Sequence, residues 1–281
     1  MNKKLKTVVL SGVASLIVVA STHLHADATS DIEKIQNYMM KKFSKLSKQD
    51  FADGVYAIDK VSRESWEEIE EFPPYEIQID DGKAMWDKKF ANGKSYADCF
   101  KDGPAVAAQY PHWDKEKSMV ITLPLAINNC LKANDEKPLK YKKGKINDIL
   151  SFMAFESRGQ VTDVKVPSDD PKAVEAFNKG KQFWLARRGQ LNMSCASCHA
   201  QNAGNKIRAD ILSPALGQTT HFPVYRSKWG TVGTLHRRFS GCNKQVRAKP
   251  FKAQGEEYRN LEYFLTAMSN GIKLNGPGAR K

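Results

Sequence analysis

Apolar positions recur at helical spacing in two parts of the chain, and each part closes on a glycine. Val174, Phe177 and Trp184 fall on one helical face behind Asp169-Asp170-Pro171, where an acidic cap and a proline at the first turn open a helix. From about Gly255 to Asn270, the residues Tyr258, Leu261, Leu265 and Met268 share a face, and Gly271 suits the end of that helix. Between the two lies a long irregular stretch carrying cysteines. The pattern predicts an opening helix, a cysteine-bearing loop, irregular chain and a closing helix.

The same order occurs earlier in the chain. Gly82-Lys83 and Trp86 precede Cys99, as Gly180-Lys181 and Trp184 precede Cys195 and Cys198. Cys130 is followed eight residues later by Pro138 in Lys137-Pro138-Leu139-Lys140, and Cys242 eight residues later by Pro250 in Lys249-Pro250-Phe251-Lys252. Gly159 and Gly271 each lie 21 residues beyond those prolines, and Phe152 and Phe264 hold equivalent places before them. An ordered set of coincidences of this kind indicates an internal duplication. The expected fold is mostly α, with two tandem domains at 81–160 and 169–281 joined across Gln160–Ser168. A charged, partly helical extension at 27–80 is expected to wrap the outside.

The first 26 residues stand apart. Lys3, Lys4 and Lys6 precede an uncharged apolar run from Val8 to Ala20, and a short polar segment ends at Leu24-His25-Ala26. That is the layout of a secretory signal cleaved near Ala26, and the run is too short for a permanent membrane span. The expected location is periplasmic, without stable membrane insertion. Loss of three lysines lowers the net charge from +13 to about +10. The charges are scattered, with no arginine-rich tail and no nucleic-acid motif, which points to an anionic substrate or acidic partner rather than nucleic acid.

Cys195-Ala196-Ser197-Cys198-His199 carries the clearest chemistry. Two thiols on one turn reach the two vinyl groups of a porphyrin, and the following histidine offers its imidazole to the iron, so one haem c is expected. Zinc would need further clustered ligands, and a redox dithiol a strand–helix context that the pattern lacks. For the opposite face of the iron the candidates are Met268, which also reads as a core residue, His221, His236 and Cys242. Cys242 lies in Arg237-Arg238-Phe239-Ser240-Gly241-Cys242-Asn243-Lys244-Gln245-Val246-Arg247, and cations favour the thiolate. Its alternative is a disulfide with Cys99 or Cys130. The duplication argues otherwise, because Cys99 aligns with the haem-type run and Cys130 with Cys242. Phe100 stands in place of a histidine after Cys99, with Tyr96 three places before it. A first domain that has lost its haem would leave two cysteines close enough to join. A Cys99–Cys130 disulfide is therefore expected, with Cys242 kept for the haem of the second domain.

With these residues in place the chain resembles the SoxA subunits of SoxAX cytochrome complexes, over nearly all of the mature sequence. The resemblance rests on the doubled cytochrome c pattern, on Cys195 to His199, and on Arg238-Phe239-Ser240-Gly241-Cys242. Lacking a first Cys-x-x-Cys-His, it resembles the single-haem branch. The resemblance implies that Cys195 and Cys198 carry the haem covalently and that His199 and Cys242 are its axial ligands. It also implies that Cys242 is the catalytic group, able to carry an extra sulfur as a persulfide. Arg238 is then associated with substrate, while Lys244 and Arg247 add positive potential. The implied reaction couples thiosulfate to a cysteine of the SoxYZ carrier and passes electrons through haem to the SoxX cytochrome. The alternative function is that of a simple periplasmic electron carrier.

Overall fold

The computed structural model describes residues 28–280. The expected signal peptide lies outside the described residues. Among those residues no helix is long and apolar enough to cross a membrane.

Helix α1 (Ala28–Lys42), a 3-10 segment (Gln49–Ala57) and α2 (Lys60–Glu71) precede the duplicated part. The first repeat contains α3 (Glu76–Asp87), α4 (Tyr96–Cys99), β1 (His112–Asp114), β2 (Met119–Ile121), α5 (Leu123–Ala133) and α6 (Lys145–Glu156). The second contains α7 (Pro171–Leu185), a π-helical turn (Ser197–Gln201) and the short pair β3 (Lys206–Ile207) and β4 (Asp210–Ile211). It continues with β5 (Val224–Arg226), β6 (Thr231–Gly233), α8 (Leu235–Gln245) and α9 (Glu256–Met268). A last strand, β7 (Gly278–Arg280), runs parallel to β5, which pairs antiparallel with β6.

From the hairpins onward the repeat keeps a fixed register. β1, β2 and α5 begin at residues 112, 119 and 123, and β5, β6 and α8 at 224, 231 and 235. Thr122 and Thr234 cap α5 and α8, each hydroxyl accepting from the backbone N–H three residues on. Each also reaches across to the other repeat. The Thr122 hydroxyl donates to Gln254 Oε1 at 2.7 Å, and that of Thr234 to the Tyr141 carbonyl at 2.9 Å. Both opening helices cross their closing helices at a glycine. A Cβ on Gly82 would stand 2.1 Å from the Asp148 carbonyl oxygen, and one on Gly180 would stand 2.0 Å from that of Asn260. Only glycine allows the two backbones to approach so closely.

The predicted apolar faces are the core. Phe177, Trp184, Tyr258, Leu261, Leu265 and Met268 are all buried in the second repeat. In the first repeat Trp86 packs 6.2 Å from Tyr96 and 6.1 Å from both Phe100 and Phe152, measured between ring centres. The extension does more than wrap the outside. Phe51 is completely buried among core residues of the second repeat, because burial of this large apolar side chain outweighs the solvation of its charged neighbours. Helix α1 is tied down by an Asp31–Lys181 ion pair and by Gln36, whose amide donates to the Met268 and Asn270 carbonyls at 3.0 and 3.1 Å. The segment between the repeats is bound as well. Thr162 donates its N–H to the Ile272 carbonyl at 2.9 Å and accepts from Gly271 at 2.8 Å.

Candidate functional site

Two serines shape the turn that carries Cys195 and Cys198. Ser197 N–H donates to Ser194 Oγ at 3.0 Å, and Ser194 N–H donates to Ser197 Oγ at 3.2 Å. The π-helical turn that follows would leave carbonyls open at its end. Lys42 of α1 donates to two of them, Ala200 and Gln201, both at 2.8 Å. His199 Nδ1 lies 2.9 Å from the Ser213 carbonyl, with the Gln218 side-chain amide 2.6 Å from the same nitrogen. Both contacts fall on Nδ1, so they fix the orientation of the ring through that nitrogen.

Cys242 arrives from α8. Asn243 fastens that helix, donating to the Phe239 carbonyl at 2.9 Å and to the Tyr258 hydroxyl of α9 at 3.0 Å. Arg238 and Cys242, one turn apart, share a helical face. The Cys242 sulfur lies within electrostatic reach of His199, Cys195, Cys198, Arg238 and Arg226.

Three free thiols therefore converge with one imidazole, yet their chemistry differs. Burial pushes Cys195 up to about 12 and also raises Cys198. Burial pushes Cys242 up as well, but Arg238, His199 and Arg226 outweigh it and hold that thiol at about 7. The protein's own charges thus make Cys242 the thiolate of the set, the form that serves as nucleophile and metal ligand. Burial, followed by the nearby Arg238, lowers Arg226 to about 10, so it stays cationic at neutral pH.

The donor set fits a c-type haem. Two unpaired thiols on one turn match covalent attachment, and an imidazole and a low-pKa thiol close by are groups that would ligate haem iron.

The other candidates lie elsewhere. Met268 is fully buried in the core. His236 accepts from the Gln254 N–H at Nδ1 and lies 3.0 Å from the Glu262 carboxylate, within the packing between the repeats. His221 is held well below the ordinary histidine range by burial and by Arg280 and Arg226, so it stays neutral. Lys244 lies in the last turn of α8 and Arg247 just beyond it. Both are exposed, and Arg247 lies 3.4 Å from Gln190 Oε1. Cys99 and Cys130 form the expected disulfide, with Cα atoms 5.8 Å apart. Arg226, absent from the sequence reading, is the added member of the site.

Fold and site together define a tandem cytochrome c-like protein, mostly helical, whose cytochrome c domain implies a c-type haem. The model of the SoxA/TsdA cytochrome c domain family matches residues 81–162 and 179–274. The SoxA subunit of L-cysteine S-thiosulfotransferase from Allochromatium vinosum is 57% identical, over 99% of this chain and 98% of that protein. Its counterpart from Chlorobaculum thiosulfatiphilum is 52% identical, over 98% and 95%. The crystal structure of SoxXA from P. pantotrophus superposes with a TM-score of 0.71 at 31% identity, covering 80% of this chain and 86% of that one. The chain belongs to the SoxA family.

Proposed function

We propose that this chain is the catalytic subunit of a periplasmic L-cysteine S-thiosulfotransferase, acting on thiosulfate and on a cysteine of a SoxYZ-type carrier. The observation that carries this reading is the placement of Cys242, a free thiol held as thiolate, near His199 and Arg238. Residues 169–281 form the haem-binding domain. Cys195 and Cys198 would hold one haem c covalently, and His199 and Cys242 would ligate its iron. Residues 81–160 form a domain without haem, a reading supported by the Cys99–Cys130 disulfide and by the packing of Tyr96 and Phe100 against Trp86.

The reaction joins the outer sulfur of thiosulfate to the carrier thiol. One S–H bond breaks, one S–S bond forms, and two electrons and one proton leave. When bound, the haem would supply a one-electron acceptor. Arg238 places a guanidinium beside the Cys242 sulfur, where it attracts a sulfur oxyanion and stabilises thiolate. Ser213 and Gln218 hold the orientation of the His199 ring. The electrons pass to a SoxX-type cytochrome partner, in keeping with the SoxXA complex that this chain resembles.

The deciding experiment replaces Cys242 with Met in the holo-complex. The variant is expected to keep a haem and lose thiosulfate-dependent reduction of its acceptor. A plain electron carrier would keep transferring electrons, and retained thiosulfate turnover in this variant overturns the assignment.

A further inference from the structure

The two repeats differ where the chemistry differs. At the register of 112 residues, Cys242 of α8 corresponds to Cys130 of α5, and Arg238 corresponds to Ala126. Arg226, the last residue of β5, corresponds to Asp114, the last residue of β1. Asp114 has a simple local partner, Lys117, at 2.6 Å. Arg226 has no such partner at contact distance, and the Asp210 carboxylate acts on it only from further off. Among the described residues no carboxylate comes within ion-pair distance of it, and its Nε is buried without a hydrogen-bond acceptor. Its guanidinium lies 5.7 Å from the centre of the Trp229 ring, an arrangement that fixes the plane of the group while supplying no negative charge. Its strand neighbour in β7 is another cation, Arg280, whose own donors are used on the Ala279 and Ala52 carbonyls.

A buried guanidinium edge without an acceptor is costly to keep. This one sits in the same electrostatic environment as Arg238 and the Cys242 sulfur, on a different element from Arg238. We infer that Arg226 is a second anion-binding residue of the Cys242 site, its unpartnered edge donating to an oxygen of the bound sulfur oxyanion. The inference rests on the reading of the site given under Proposed function. Arg238 on the helix and Arg226 on the strand then grip a dianion from two directions. A single arginine would attract such a ligand without fixing which sulfur faces Cys242.

The test uses the holo-complex with its cytochrome partner and compares wild type with Arg226→Gln and Arg226→Lys. Losing one charge-assisted hydrogen bond predicts a rise in the KM for thiosulfate of roughly 10- to 100-fold in Arg226→Gln, with a smaller change in kcat. Arg226→Lys keeps the charge but loses the fork, and is expected to recover only part of the affinity. Thiosulfate binding to the oxidised protein, followed by calorimetry, should weaken in the same order. An unchanged KM and Kd in either haem-loaded variant overturns the inference. So does a shift of haem potential without any change in Kd, which would make Arg226 only a counter-charge to the Cys242 thiolate. If wild type shows no Cys242-dependent turnover, the proposed reaction fails. Calorimetry then still decides whether Arg226 binds the anion.

Discussion

Cys130 and Cys242 occupy the same turn of equivalent helices, 112 residues apart, yet one is locked to Cys99 and the other is a free thiol within electrostatic reach of His199. The difference follows from what stands opposite. Cys130 meets a cysteine, with Tyr96 and Phe100 of the same segment packed on Trp86. Cys242 meets the imidazole that follows two unpaired thiols. One duplicated framework thus supports a disulfide-bonded sulfur and, on the function proposed above, a chemically active one.

The structural sulfur can be removed without touching the active one. Cys99 and Cys130 close a loop with a sequence separation of 31, for which chain entropy gives about 3–4 kcal/mol of stabilisation. The double variant Cys99→Ser/Cys130→Ser should unfold at markedly lower urea concentration, by roughly that amount. Its thiosulfate turnover per folded molecule should stay within about twofold of wild type, because Cys130 lies in the other repeat from Cys242. Equilibrium unfolding and steady-state kinetics on the same preparation check both parts.

The helix crossings predict a second effect. A methyl group at Gly180 would overlap the Asn260 carbonyl at 2.0 Å and the Phe264 Cβ at 2.8 Å. These are backbone and core atoms that cannot swing aside. Gly180→Ala should cost about 3 kcal/mol or more, and Gly82→Ala a similar amount through Asp148 and Phe152. Alanine at Gly241, inside α8 where an added Cβ meets nothing within 4 Å, is the control and should leave stability unchanged or raise it by up to about 1 kcal/mol. Denaturant midpoints for the three variants check this ordering.

Much of this was legible in the chain because helix packing leaves marks at fixed spacing. Gly82 and Gly180, Phe152 and Phe264, and the two cysteine–proline pairs are the points where the repeats must touch themselves, so they persist in both copies. The hairpins β1–β2 and β5–β6 were read as irregular chain, since strands of three residues are too short to show alternation. Arg226 was missed for the same reason, lying at a strand end that no periodicity marks. Extending the register back from Cys130 and Cys242 to Asp114 would have exposed it. Phe51 was hidden by its neighbours. One apolar cluster in a charged extension reads as surface, and only the tertiary fold shows that it plugs the second core.

Lys42 links that extension to the haem-type turn. It donates to the Ala200 and Gln201 carbonyls at 2.8 Å, and nothing in the turn itself replaces those donors. Lys42→Met keeps the aliphatic stem and removes the charge. Partly exposed hydrogen bonds from a cation contribute about 1–2 kcal/mol together. Hydrogen exchange should therefore speed up by roughly 5- to 30-fold across 197–202, while exchange in α5 and α6 stays unchanged. Equal protection in the turn would show that α1 is tied on without supporting it.

His221 provides the pH dependence. It is buried, held well below its ordinary value of 6.5, and faces Arg280 and Arg226. The folded protein keeps it neutral, whereas the unfolded chain binds a proton once the pH drops below 6.5. Its contribution to stability is therefore complete above 6.5 and declines as the pH falls toward the folded value, with a slope of up to about 1.4 kcal/mol per pH unit. Glutamine at this position does not titrate and keeps a donor for the Gly217 carbonyl that His221 bonds. Carboxylates titrate in the same acid range in both proteins, so the difference between wild type and His221→Gln isolates the histidine. That difference should be flat from pH 7 to 8 and should move in favour of the variant between pH 6.5 and 5. Urea unfolding across that range measures it, and a difference that stays flat would mean that His221 takes up its proton within the fold.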